Sequence, residues 1–271
     1  MTRLLLLFFC ALTLLACKRE APVPGGTPAS ADGSTPAATT PAAGPLQDVA
    51  EATPRYVIGI SYPKSAAKYP GLAAVLQAYA DTARKQLMEA VDGLGNDVPT
   101  APYDLTLSFT ELLDSPQLVA IAADGSSYTG GAHGAPLIAR FVWLPQQQKL
   151  LTAKELVPTT AGWQAISDFV REQLHTALSQ RLDADHVDPA DRIDLSKSAS
   201  KVIDEGTEPK PESFAEFEPL VDSNGRLTAL RFVFPPYQVG SYADGTQTVE
   251  VPAEVLLPHV APAYRGLFRG G

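Results

Sequence analysis

The chain is 271 residues long, 45% hydrophobic, and carries 30 Asp and Glu against 21 Lys and Arg, a formal net charge of -9. That length supports one or two domains with a real core, and the acidic balance excludes a nucleic-acid binder, which needs clustered cations against phosphates. Two Cys and four His are too few and too scattered for a disulfide framework or a zinc site, so neither metal nor cofactor is expected.

At the start, Arg3 precedes an apolar run from Leu4 to Ala16. Crossing a bilayer takes about 20 apolar residues, so this run has the form of an export signal. Its end, Leu14-Leu15-Ala16-Cys17, resembles the lipobox of bacterial lipoproteins. That resemblance implies a signal peptide over 1–16, acylation of Cys17 and attachment to a membrane. Cys10 then leaves with the signal, and no thiol remains to oxidise. Lys18 behind the Cys resembles the sorting pattern for an outer membrane, with the protein facing the periplasm in a cell that has two membranes. Residues 17–54 read as a disordered Pro/Ala/Thr tether: 18–54 holds seven of the 24 prolines and almost no large apolar residue. As a flexible coil it reaches on the order of 35 Å.

From Tyr56 apolar and small residues alternate through Tyr62, a half-buried strand pattern. Pro70 opens a helix whose stripe is Leu72, Val75, Leu76, Tyr79, Ala83 and Leu87, and Gly93 and Gly95 stop it. Three strands are expected over 103–113, 117–122 and 137–144, with a glycine-rich loop from Asp124 to Gly134 between the last two. A second helix is expected over 160–182, with Trp163, Ile166, Val170, Leu174 and Leu178 on one face. The stretch from Asp183 to Asp222 carries twelve acidic residues against four basic ones. Within it a short strand is expected around Phe214, Phe217 and Leu220. Asn224-Gly225 then signals a hairpin, a strand over 227–234 returns, and another covers 247–251. The pattern is α+β, with antiparallel or mixed sheet and two main helices. An N-terminal part is expected over 55–155, a C-terminal part over 156–264, and a tail over 265–271.

Two glycine-rich segments are candidate sites. In Gly130-Gly131-Ala132-His133-Gly134 the glycines permit close backbone approach and His133 can move protons. The run lacks the spacing of a Walker loop, a dinucleotide fingerprint or a hydrolase elbow. A strand-connecting turn is its simpler explanation. Ser126 and Ser127 could supply a nucleophile, but no base follows from spacing. His133, His175, His186 and His259 show no ligand pairing, and Asp183, Asp185 and His186 read as a solvated acidic loop. The second segment, Pro235-Pro236-Tyr237-Gln238-Val239-Gly240-Ser241-Tyr242-Ala243-Asp244-Gly245, offers Tyr237 and Tyr242 either as packing residues or as exposed contacts.

Tyr128-Thr129-Gly130-Gly131-Ala132-His133 in the first place, Phe234 to Gly245 in the second, and Val249-Glu250-Val251-Pro252 behind them together resemble the RsiV-type extracellular domain family. The same module stands beside the catalytic domain of the peptidoglycan deacetylase PdaC. The resemblance spans residues 55 to 264. It implies a two-lobed α+β fold and a binding role for Tyr128, Gly130, Gly131, His133, Tyr237 and Tyr242, without a catalytic residue. The expected partner is a lysozyme-like muramidase, which the anti-sigma factor RsiV binds through this domain, or cell-wall glycan. With only Met1 to Arg3 ahead of the apolar run, no sigma factor is expected as a partner; with no deacetylase domain behind residue 264, a binding module alone is expected. Two other functions fit the residues: a peptidoglycan-modifying enzyme using the Gly130–His133 loop, and a structural lipoprotein of envelope assembly.

Overall fold

The computed structural model describes residues 46–271, of which all but the first few belong to regular elements and their connections. The expected signal peptide over 1–16, Cys17 and most of the expected tether lie outside the described residues. Among the described residues, nine strands form two sheets. The first has six strands in sequence order: β1 (Val49–Ala52), β2 (Tyr56–Ser61), β3 (Tyr103–Asp114), β4 (Val119–Tyr128), β5 (Ala135–Leu144) and β6 (Lys149–Leu150). Every pairing is antiparallel except that of β2 with β3, which is parallel. Parallel neighbours need a crossover, and helix α1 (Pro70–Gly93) supplies it.

Pro70 opens α1, as the sequence predicts, and the helix lays Leu72, Leu76, Ala80, Ala83, Leu87 and Val91 on the sheet. They meet Ile58, Ile60, Leu105, Leu107, Phe109 and Ile121 in a dry core. Val75 and Tyr79, also expected on this stripe, are only partly buried at its edge. The strand β1 corrects the tether boundary. Val49–Ala52 pairs with β2, and Leu46 and Val49 pack on the core. A few apolar residues suffice there because β2 offers a ready edge, so the folded body begins before residue 55.

Residue parity in β5 explains how a second lobe attaches. Ala139, Phe141 and Trp143 face the α1 core, whereas Val142 and Leu144 face the other core. A strand buried on both faces reads as a near-continuous apolar run, which 137–144 is apart from Arg140. The second core is built on α3 (Thr160–Ala184), which follows the short α2 (Ala153–Leu156). The five residues predicted for its inner face, Trp163, Ile166, Val170, Leu174 and Leu178, are all buried. They cover the second sheet, β7 (Phe217–Val221), β8 (Leu227–Phe234) and β9 (Gln247–Pro252), antiparallel in that order. Phe214 stacks on Trp163 with ring centroids 5.3 Å apart and sets its edge against Phe232 and Phe234. Two short helices, α5 (Ala253–Leu256) and α6 (Pro262–Arg265), follow β9.

The acidic stretch differs from expectation. It contains α4 (Pro189–Gly206), a helix of 18 residues of which only Ile203 is buried. One buried position gives no stripe to read. Asp188, whose side chain accepts from the Ala190 amide, and Pro189 at the first turn were the available signals. The acidity is also less free than a charge count suggests, because Glu216 and Glu218 turn inward. Arg140 on β5 donates from Nε to Glu218 at 2.7 Å and from its backbone amide to Glu216. Arg231 on β8 joins Glu218 at 3.2 Å and Glu250 at 2.7 Å, so alternating charges run across the seam between the sheets. Burial pushes the Glu216 carboxyl above its ordinary range, against the opposing pull of the Arg140 amide and charge.

Candidate functional site

The glycine-rich loop is shorter than the sequence implies. Strand β4 continues through Ser126, Ser127 and Tyr128, with Ser127 opposite Ala135, so the connection is only 129–134. Ser126 and Ser127 therefore belong to a paired strand. Gly130 and Gly131 hold φ of 100° and 99°, a region closed to residues with a Cβ. The turn folds back far enough for the Tyr128 hydroxyl to donate to the Gly131 carbonyl at 3.2 Å. His133 stands at its rim, with Nδ1 3.4 Å from the Gly134 carbonyl.

The second loop leaves β8 at the buried Phe234 and is held at several points. Gln238 donates through its side-chain amide to the carbonyls of Gly206 (3.0 Å) and Ser213 (2.8 Å). Gly206 ends α4 directly under this loop; a Cβ there would lie 1.9 Å from the Gln238 carbonyl oxygen. Val239 is buried. Ser241 then caps a 3-10 turn, Tyr242–Asp244: the Asp244 carboxylate accepts from the Ser241 amide (2.7 Å) and hydroxyl (2.8 Å), and also from Arg181 of α3 at 2.7 Å.

These anchors bring the two loops together, although 104 residues separate His133 from Tyr237. The His133 imidazole stacks on Tyr242 with centroids 3.9 Å apart and planes 13° from parallel. Its Nε2 is 2.8 Å from the Tyr237 hydroxyl. The tyrosine rings lie 5.7 Å apart. Tyr237 is 56% exposed and Tyr242 37% exposed, so the three rings make a solvent-facing platform. Tyr237 holds φ of 75°, a strained value for a residue with a Cβ. With Nδ1–H donated to Gly134, Nε2 carries a lone pair that accepts the Tyr237 proton; in the protonated ring both nitrogens donate and the Tyr237 hydroxyl is freed to donate outward. Chemically the cluster can stack on a flat face and exchange hydrogen bonds at its edge.

All six body residues named from the sequence thus lie in one place. Tyr128, Gly130 and Gly131 shape the first loop, and His133, Tyr237 and Tyr242 form the platform. Packing and exposure, posed as alternatives for the tyrosines, hold at once: they pack on His133 and remain open to solvent. His175 lies elsewhere, beside Ser200 and Asp204, and His186 sits in the turn between α3 and α4. Gln238, Arg181 and Gly206 hold the site and were not named from the sequence. Gln238 and Asp244 lie inside the quoted motif, but nothing in the sequence points to Gly206, whose role arises from a neighbour 32 residues away.

Two lobes, one on a mixed sheet and one on an antiparallel sheet, joined through β5 and each placing a loop at one rim, define an α+β fold with solved relatives. A DUF3298 family protein from Pseudomonas aeruginosa is similar with a TM-score of 0.55 and 17% identity, over 83% of this chain and 96% of that one. A second DUF3298 member, from Bacteroides fragilis, is similar with a TM-score of 0.50 and 16% identity, again over 83% and 96%. At these identities the likeness concerns the fold. Residues 49–135 match the family described as Deacetylase PdaC, and residues 156–254 match that described as Protein of unknown function (DUF3298). The body carries these two family segments in tandem, and each of the two motif loops falls within one of them. No curated protein matches the chain.

Proposed function

We propose that this chain is a non-catalytic binding module of the bacterial cell envelope, tethered through acylated Cys17, whose contact face is the His133–Tyr237–Tyr242 platform. Its ligand is a lysozyme-like muramidase or the cell-wall glycan on which such an enzyme acts. The observation that carries this reading is the exposed ring stack itself. Aromatic side chains are large, rigid anchors that lose little freedom on binding, and Tyr is enriched among residues that dominate binding energy. Backbone strain at Tyr237 persists because Gln238 and Pro235 fix the turn on either side, and held strain of this kind concentrates at functional sites. The net negative charge of the chain favours a basic partner and a salt-sensitive association rate. Asp185, Asp188, Asp191 and Asp194, ahead of and within α4, supply that charge in preference to the seam glutamates.

The test is titration of residues 46–271 with lysozyme and, separately, with cell-wall sacculi, at low and high salt. Tyr237→Ala or Tyr242→Ala should raise the dissociation rate by about tenfold or more, while neutralising the α4 aspartates should mainly slow association. Heat or retention absent for both ligands would leave the structural-lipoprotein reading. Trimming of glycan by the purified protein, abolished by His133→Ala, would replace binding with catalysis. Attachment is tested independently: Cys17→Ser should release the chain to the soluble fraction, and a variant still processed and membrane-bound would remove the anchor.

A further inference from the structure

Below the Tyr242 turn, α3 and α4 splay apart around a half-open hollow of about 370 Å³. Its walls are mainly Leu178, Leu182, Leu195, Ala199, Val202 and Val239. A smaller hollow of about 90 Å³ continues it toward Leu174 and Gln247. Arg181 and Asp244, ion-paired at 2.7 Å, line both hollows. Leu195 in its wall is 49% exposed. The volume falls in the range of small-molecule sites, and a mostly apolar wall with a few polar groups at the mouth is their usual make-up.

From this geometry we infer that the α3–α4 cleft binds a single alkyl chain of an anionic amphiphile, with the head group beside Arg181. The apolar walls remove the chain from water, which is favourable in proportion to the area buried. Arg181 is the cation of the lining, and its side chain is 41% exposed, so it can reach a head group at the mouth. When Arg181 turns to a head group, Asp244 Oδ2 keeps the Ser241 amide and hydroxyl as donors. A planar guanidinium pairs equally well with a carboxylate or a phosphate. The lining comes from α3, α4 and the 239–244 loop, with Arg181 and Asp244 as its only charged members, so a narrow alkyl chain with one charged head suits it better than a protein segment, whose backbone amides and carbonyls would need partners along its length.

The full chain is titrated calorimetrically with monomeric dodecanoate, dodecyl phosphate and dodecanol. Saturable one-to-one binding of an anionic probe is expected, with dodecanol weaker by about threefold to fivefold, the worth of one partly exposed ionic contact. Whichever anionic probe binds tighter separates a free fatty acid from a phosphate-headed lipid as the source. Ala199→Phe fills the hollow and should weaken binding more than about tenfold; any uptake by the apolar residues 4–15 is common to parent and variant and cancels in the ratio. Should Ala199→Phe disturb folding, Leu195→Ser at a half-exposed position still reports the cleft, with a few-fold loss expected. Arg181→Gln should abolish the preference for a charged head, bringing the anionic probes down to the affinity of dodecanol measured on the same variant. Equal binding by parent, Ala199→Phe and Leu195→Ser, or no saturable binding at all, overturns the inference. Neither glycan nor muramidase enters this test, so its failure would leave the platform reading standing.

Discussion

Helices α1 and α4 are held to the same body by different physics. Seven of the 24 residues of α1 are buried against the first sheet, whereas one of the 18 residues of α4 is buried. Helix α1 therefore draws its stability from apolar area removed from water. Helix α4 is secured at its ends: Asp188 caps its start, Arg192 reaches Asp183 at 2.6 Å, and Arg171 of α3 donates to the Asp204 carbonyl and the Thr207 hydroxyl at its close. A helix held by its ends can leave its middle unfilled, and the α3–α4 cleft is that unfilled middle. Burial gives α1 a fixed structural role, while sparse burial leaves α4 a surface to offer.

The sharpest way to break this contrast is a cavity under α1. Leu76, fully buried, should cost about 2–5 kcal/mol when changed to Ala, read as a lower denaturant midpoint; a loss no larger than that of a surface change would deny α1 its role. Next in size, Asp188→Ala removes the cap of α4 and should cost about 1 kcal/mol. Hydrogen exchange should then quicken along α4 while α1 keeps its protection; parallel loosening of both helices would mean that they are not energetically separate.

The seam between the two regions offers a smaller, pH-dependent effect. Burial raises the Glu216 carboxyl, so the folded chain binds that proton more readily than the unfolded one. Its contribution is fully present below the ordinary carboxylate range and is lost as pH rises through the raised value. Glu216→Gln, which keeps an oxygen for the Arg140 amide and cannot ionise, should therefore melt higher than the parent at neutral pH. That advantage should shrink as pH falls to about 4; an advantage growing toward acid would reverse the assignment. Smallest of all, Ile193→Ser on the exposed side of α4 should stay within about 0.5 kcal/mol, and a larger loss would show α4 packed against something the contrast omits.

Much of the fold was legible because its elements carry strong local codes. Pro70 with the Leu72–Leu87 stripe gives α1, alternation from Tyr56 gives β2, and Asn224-Gly225 gives the β7–β8 hairpin. Strand β1 was hidden because its short, mostly small sequence becomes a strand only when β2 presents an edge. Helix α4 was hidden because its apolar residues are few and unevenly spaced, so only its cap announces it. The extension of β4 through Ser126 and Ser127 was likewise set by the partners Thr106 and Pro136 across the ladder.

For the site, the sequence by itself determined which side chains are special: glycines where φ must be positive, and tyrosines between turn residues that cannot continue a strand. It also determined the α+β class, since hydrophobic period and turn chemistry are local properties. What only the tertiary structure decided is that these residues meet. His133 lies on Tyr242 because β5 is buried on both faces and so ties the lobes together, and because Gln238 docks the second loop on Gly206. Contacts between residues a hundred positions apart depend on how sheets share strands and where loops find anchors, and no local period or motif encodes that.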